Sequence, residues 1–142
     1  MSHLMNSLIA TSLFTTAALA QADTWTPETT LNTKVISDPQ LSLDNSEAVF
    51  VATDYSLTDE KGLALSRIYK NDQAITGPNA SSMQPRWSPN GTTLAYVSKE
   101  NGVKCLYLLE NEVKTRLSLG IKDVQTYAWA PNGEKIAFVM ED

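Results

Sequence analysis

Residues Trp87-Ser88-Pro89-Asn90-Gly91-Thr92-Thr93-Leu94-Ala95-Tyr96-Val97 return 42 positions later as Trp129-Ala130-Pro131-Asn132-Gly133-Glu134-Lys135-Ile136-Ala137-Phe138-Val139. Aromatic, small, Pro, Asn, Gly, two polar residues, aliphatic, Ala, aromatic, Val: nearly every slot agrees in type. A fixed period of this length marks a repeat architecture and has to be read before any local feature.

Each copy has a physical reading. Pro sets φ for the first corner of a type I turn, Asn suits the second, and Gly takes the next position, where φ is often positive. The Trp before the turn and the aliphatic-Ala-aromatic-Val run after it suit strands. Each copy is therefore a hairpin. A lone hairpin cannot bury its faces, whereas a series of packed small sheets can. Repeats of roughly 40–45 residues with four strands each are the spacing of β-propeller blades. The alternative is two unrelated hairpins in a β-sandwich, against which stands the match of the copies over eleven consecutive slots.

A third, degraded copy precedes these two. Pro39-Gln40-Leu41-Ser42-Leu43-Asp44-Asn45 aligns on Pro85-Arg86-Trp87-Ser88-Pro89-Asn90-Gly91, and Ala48-Val49-Phe50-Val51 on Leu94-Ala95-Tyr96-Val97, at an offset of 46. Leu41 stands for Trp, Leu43 for Pro, and Asn45 for Gly, a replacement that Asn permits at positive φ. A terminal repeat is expected to be atypical. The fold predicted is all-β: an incomplete β-propeller over 35–142, of about two and a half four-stranded blades near 35–77, 84–120 and 125–142. In the first blade a polar loop is expected over 52–62, then a third strand from Leu63 to Lys70 and a short fourth from Asp72 to Thr76. Residues 77–82 read as a linker. The second blade has strands near 84–87, 93–99, 103–110 and 112–118, and the third near 125–129 and 135–140.

The chain has 142 residues, whereas a complete propeller needs at least four blades of roughly 40 residues. The expectation is a front portion of something longer. Sixteen acidic against eleven basic side chains give a net charge of −5, which leaves no basic patch for nucleic acid.

Residues 1–20 read as a signal peptide. Leu8, Ile9, Leu13, Phe14, Ala17 and Ala18 form an apolar region, and Ala18-Leu19-Ala20 is an A-x-A cleavage site before Gln21. The first basic residue is Lys34, so the usual positive start is missing, and an uncleaved leader is the alternative. The apolar run is too short and too polar for a membrane span. An exported protein, periplasmic or secreted, is expected. Residues 21–34 form a helical or irregular leader, in which Thr26 can cap a short helix opened by Pro27.

Cys105 is the single cysteine, so no intrachain disulfide forms, and a buried strand thiol is expected. Asn79-Ala80-Ser81 and Asn90-Gly91-Thr92 match the glycosylation acceptor pattern, the second being explained by its turn. No G-x-S-x-G occurs, and the only histidine is His3. A Ser-His-acid triad therefore lacks its imidazole base. No catalytic, cofactor-binding or metal-ligating residues are assigned, and no cofactor is expected.

The aromatic-Ser-Pro-Asn-Gly hairpins resemble the propeller repeats of the prolyl oligopeptidase family and of TolB-type periplasmic propellers. The usual residue before Gly there is Asp; here it is Asn90 and Asn132. Trp25-Thr26-Pro27-Glu28 followed by Val35-Ile36-Ser37-Asp38-Pro39-Gln40-Leu41-Ser42-Leu43-Asp44 is similar to the start of the acylaminoacyl-peptidase branch, with Leu43 and Asn45 departing from its first repeat. The likeness covers about residues 24–142. It implies a serine peptidase of acylaminoacyl- or dipeptidyl-peptidase type, in which a propeller gates peptide access to a carboxy-terminal α/β-hydrolase domain. That domain and its triad lie outside this chain. The competing readings are a non-enzymatic TolB-like binding propeller and a nonfunctional gene fragment.

Arg86 precedes Trp87 on a strand expected near the propeller axis. In a complete ring it faces the channel and meets a peptide carboxylate, or else it is a solvated or interblade arginine. Trp25, Trp87 and Trp129 read as packing residues, and Asp54, Asp59 and Glu60 as a solvated loop. Two and a half blades leave edges and faces open, so residues 21–142 alone are expected to be marginally stable, aggregation-prone and inactive on peptides.

Overall fold

The structure is a computed structural model that describes residues 34–58, 64–118 and 122–141. The proposed signal peptide and the Thr26-Pro27 helix start lie outside the described residues. Those described form an all-β, partial-propeller fold of ten strands without a helix. The strands are β1 (Lys34–Leu41), β2 (Ala48–Thr58), β3 (Ala64–Lys70), β4 (Gln73–Ala74), β5 (Ser81–Trp87), β6 (Leu94–Glu100), β7 (Val103–Glu110), β8 (Val113–Arg116), β9 (Val124–Trp129) and β10 (Ile136–Met140). They make three antiparallel meanders in chain order: β1–β4, β5–β8 and the pair β9–β10.

The repeated turn closes the same way three times. The amides of Ser42, Ser88 and Ala130 donate to the carbonyls of Glu47, Thr93 and Lys135 at 2.7–2.8 Å. Those of Asn45, Gly91 and Gly133 donate back to Ser42, Ser88 and Ala130 at 2.8–3.0 Å. Asn45 takes φ 58°, beside 75° for Gly91 and 73° for Gly133. The degraded first copy thus keeps the geometry through an Asn that tolerates the left-handed region. The Asn90 side chain does what Asp44 does in the first copy. Its Oδ1 accepts from Ser88 Oγ at 2.6 Å and from Thr92 Oγ1 at 3.0 Å, as Asp44 Oδ1 accepts from Ser42 Oγ and Ser46 Oγ. Only an acceptor oxygen is needed, and both side chains carry one.

The first part of the loop expected over 52–62 is strand; residues 59–62 lie outside the described residues. β2 continues through Asp54 to Thr58, because Asp54 pairs with Lys34 on one side and Leu65 on the other. Thr53 and Ser66 exchange a side-chain hydrogen bond across that ladder at 2.9 Å. Cross-strand partners override the polar composition. β5 also opens earlier than expected, at Ser81, inside the predicted linker.

The core lies between sheets. Strand alternation gives each sheet two faces. In the second sheet Tyr96 and Tyr107 lie on one face, Ala95, Val97 and Leu106 on the other. Tyr96, Cys105 and Tyr107 pack with Val51 and Ile68 of the first sheet. Ala95, Val97 and Leu106 pack with Val124 of the third, flanked by Tyr127, Trp129, Ile136 and Phe138. Each internal seam therefore joins the rear face of one sheet to the front face of the next. Phe50 and Tyr69, stacked at 5.6 Å between centroids, occupy on the first sheet the cross-strand slot of Tyr96 and Tyr107, stacked at 5.7 Å on the second.

Candidate functional site

The residues brought together at the first strands of the three sheets form a polar inter-sheet contact. β1 and β5 both bulge just before the turn, where the register shifts between Ser37 and Gln40 and between Met83 and Arg86. Asp38 sits at φ 50° and Gln84 at φ 55° within these bulges. Each is followed by a proline, Pro39 or Pro85, which fits a place where the ladder has already lost a donor. A bulge re-aims its side chain. Here it turns Asp38 toward the second sheet, where Arg86 Nη1 donates to Asp38 Oδ1 at 2.7 Å and Oδ2 at 2.8 Å, and to the Pro85 carbonyl at 2.6 Å.

Arg86 is thus the interblade arginine of the two alternatives. One nitrogen makes all of these contacts, so the guanidinium does not engage Asp38 through its two-pronged fork. The side chains are 43% and 28% exposed, and an ion pair this solvated contributes at most about 1 kcal/mol.

The third sheet replaces the proline slot with Tyr127. Its single hydroxyl proton is shared between the carbonyl of Gln84, at the apex of the β5 bulge, and that of Ala95, whose oxygen lies 2.8 Å from the phenol. Burial pushes the Tyr127 phenol well above its ordinary value, as the nearby Asp38 also does, while Arg86 opposes the shift. Asp38, Arg86 and Tyr127 therefore link all three sheets. Sequence reasoning singled out Arg86 alone. A signal that could have found Tyr127 is the Pro-Pro-Tyr series at positions 39, 85 and 127, a slot where the third repeat departs in type.

A groove of about 440 Å³ lies between the first two sheets, lined by Glu47, Lys70, Trp87, Leu94, Leu109 and Glu112 among others. Lys70 and Glu47 pair within it at 2.9 Å. The Trp87 indole nitrogen is buried without a hydrogen-bond partner, whereas that of Trp129 donates to the Arg86 carbonyl at 3.2 Å. Trp129 packs against the cluster between the second and third sheets, as expected, whereas Trp87 lines this groove; Trp25 lies outside the described residues.

On the second sheet Glu100 accepts from Tyr107 Oη and Lys114 Nζ, each at 2.6 Å, and the lysine sits 4.0 Å above the Tyr107 ring. The lysine, then the tyrosine, hold the Glu100 carboxyl below its ordinary range. Burial, then the Glu100 hydrogen bond, push Tyr107 up. This is a cross-strand brace rather than an acid-base pair, since both neighbours stabilise the charged carboxylate.

Cys105 is buried, 2% exposed, in the first inter-sheet cluster. Among the described residues no three His, Cys, Asp or Glu side chains gather as metal ligands, and no helix is long and apolar enough to cross a membrane. The arrangement offers a cationic group beside a carboxylate, a groove and stacked aromatics, all of them means of binding.

No family model matches the chain. It is 29% identical over 108 residues to a curated protein described as "Uncharacterized peptidase YuxL", from Bacillus subtilis (strain 168); the match takes in 71% of this chain and 16% of that protein. The chain thus spans about a sixth of the length of the relative it matches, and it is distantly related to a peptidase.

Proposed function

We propose that this chain is the amino-terminal propeller portion of an exported serine peptidase, gating peptide access to a hydrolase domain carried elsewhere in the protein. The observation that carries the reading is the likeness to a protein described as a peptidase, of which the match covers only 16%. The partial-propeller fold supports it, because the resembled family implies a propeller set before the hydrolase domain. Within the reading, this segment contributes no catalysis: its single histidine is His3, so no described residue can supply an imidazole base. Its polar groups at the sheet seams bind or exclude peptides.

The test is the coding DNA beyond the codon for Asp142. Further aromatic-Ser-Pro-(Asp/Asn)-Gly repeats, then a G-x-S-x-G segment and a later histidine, are expected. Repeats that end without such a segment would replace this reading with a binding propeller. An immediate stop codon would make the chain a remnant without catalytic function. Export is tested by the amino-terminal sequence of the protein recovered from its host, which should begin at Gln21; an intact Met1 would overturn it.

A further inference from the structure

Three Asn-Gly pairs lie in turns of the described fold: Asn90-Gly91, Asn101-Gly102 and Asn132-Gly133. An asparagine before glycine is prone to attack by the next main-chain nitrogen on its own side-chain carbonyl carbon, because glycine has no Cβ to obstruct the approach. Asn45, Asn71, Asn79 and Asn111 precede residues that do have one. The fold treats the three pairs differently. In the repeat turns both reacting groups are occupied. The Gly91 amide donates to the Ser88 carbonyl at 2.8 Å and the Gly133 amide to the Ala130 carbonyl at 2.9 Å. Asn90 Oδ1 accepts from Ser88 Oγ, Thr92 Oγ1 and the Thr92 amide. Asn132 bonds Glu134 twice, through the main-chain amide and through the carboxylate. Asn101 and Gly102 are the two central residues of the β6–β7 hairpin turn, at φ 51° and 83°, the dihedrals of a type I′ loop. Both are exposed. Among the described residues the Asn101 side chain and the Gly102 amide have no hydrogen-bond partner, and the space beside Gly102 is open.

We propose that Asn101-Gly102 is a self-modification site, at which the folded protein loses the Asn101 side-chain amide as ammonia, while the repeat turns hold Asn90 and Asn132 out of the same reaction. The step needs only water. The Gly102 nitrogen, having given its proton to hydroxide, attacks Asn101 Cγ. The new N–Cγ bond forms as the Cγ–Nδ2 bond breaks, and Nδ2 leaves as ammonia after taking up a proton. Water then opens the resulting succinimide at either carbonyl, and nothing is oxidised or reduced. Opening at Cγ gives aspartate. Opening at the main-chain carbonyl gives isoaspartate, whose backbone runs through Cβ and Cγ. Either product sets a carboxylate beside Lys99 and Lys104, which face each other across the ladder just before the turn. Isoaspartate also adds a main-chain carbon to a two-residue loop, whose length sets the register of the hairpin. Residues 94–98 of β6 are buried, so the strain falls on a core strand. The proposal rests on the turn geometry and not on the peptidase reading.

The experiment incubates the full chain at mildly alkaline pH in water enriched in heavy oxygen, once folded and once in urea. Digestion with trypsin in ordinary water follows, so label marks only what reacted during the incubation. Cleavage after Arg86, Lys99, Lys104, Lys122 and Lys135 leaves the three pairs on separate peptides, 87–99, 100–104 and 123–135. In urea the three should take up label at similar rates, since each asparagine precedes glycine. In the folded protein 100–104 should gain label fastest. The other two should fall behind it by about tenfold or more, because each net hydrogen bond that must break lowers the reactive form by about three- to tenfold. Chromatography of 100–104 should separate an aspartate form from an isoaspartate form.

Protection of Asn101 in the folded protein as deep as that of Asn90 or Asn132 would overturn the proposal. So would faster labelling of either of those two, because the turn hydrogen bonds would then not be what governs the reaction.

Discussion

The Trp129 indole donates to the main-chain carbonyl of Arg86, 3.2 Å away on the preceding sheet, while the indole nitrogen of Trp87, in the same repeat slot, is buried with no partner. Sequence equivalence has produced packing equivalence without hydrogen-bond equivalence. Substituting the two residues separates these contributions. Trp129→Phe removes a donor and strands a carbonyl, and should cost about 1–3 kcal/mol beyond the lost area. Trp87→Phe removes a donor that had no partner, so it should cost less by about that amount. Urea unfolding of both variants checks this; equal losses would mean that the Trp129 bond contributes nothing.

Turn glycines differ in what lies against them. A Cβ at Gly91 would meet the Leu43 Cβ of the preceding turn at 3.0 Å, whereas one at Gly133 would meet Asn90 atoms no closer than 3.5 Å. Both have positive φ, so each Gly→Ala carries about 1–2 kcal/mol of left-handed strain. Only Gly91→Ala adds a clash between two turns. It should be the more destabilising in thermal or urea melts, and Leu43→Gly in the same chain, which removes the opposing Cβ, should recover part of the difference.

Tyr127 should be felt at alkaline pH. Its folded pKa is raised above the ordinary 10.0 by burial, so the neutral phenol is the form that the fold favours. The stabilisation is complete below pH 10 and is lost as pH rises beyond it. Tyr96, pushed up to about 12 by burial and then by the Glu100 charge, adds to the same window. Tyr127→Phe leaves the Gln84 and Ala95 carbonyls without their donor and should cost about 1–3 kcal/mol at neutral pH. It should also flatten the loss of stability between about pH 10 and 12. A variant as stable as wild type at neutral pH would show that the hydroxyl bonds are dispensable.

Acid acts on the opposite end of the fold. The Ser42 hydroxyl, then the Ser46 amide and hydroxyl, hold the Asp44 carboxyl at about 2, below its ordinary 3.8. A depressed pKa means that the turn is favoured above about pH 4 and loses that contribution as pH falls toward 2. Carboxyl-carbon NMR should place the Asp44 midpoint near 2, and Ser42→Ala should move it toward 3.8. A wild-type midpoint already at the ordinary value would mean that the turn does not form. Asn90 and Asn132 carry no charge in the same slot, so the second and third turns should be indifferent to this change.

Much of the architecture was legible in the residues. Pro, Asn and Gly at fixed offsets set local dihedrals, and local dihedrals do not depend on distant partners. For that reason even the degraded turn at Ser42–Glu47 could be placed, Asn45 included. Which side chains of β6 and β7 share a face follows from strand geometry once the strands are in place. The extension of β2 past Ala52 was not legible, because polar residues such as Thr53 and Asp54 enter a strand only when neighbours on both sides offer matching partners.

The sequence by itself determined the repeat, the hairpins it encodes, the all-β class and the lack of an imidazole outside His3. Tertiary structure alone decided that Arg86 spends its charge on Asp38 and that Tyr127 reaches back to the β5 bulge. The reason is one of range. Turn and strand preferences are written in a few consecutive residues, whereas an ion pair 48 positions apart exists only once separate sheets have been brought face to face.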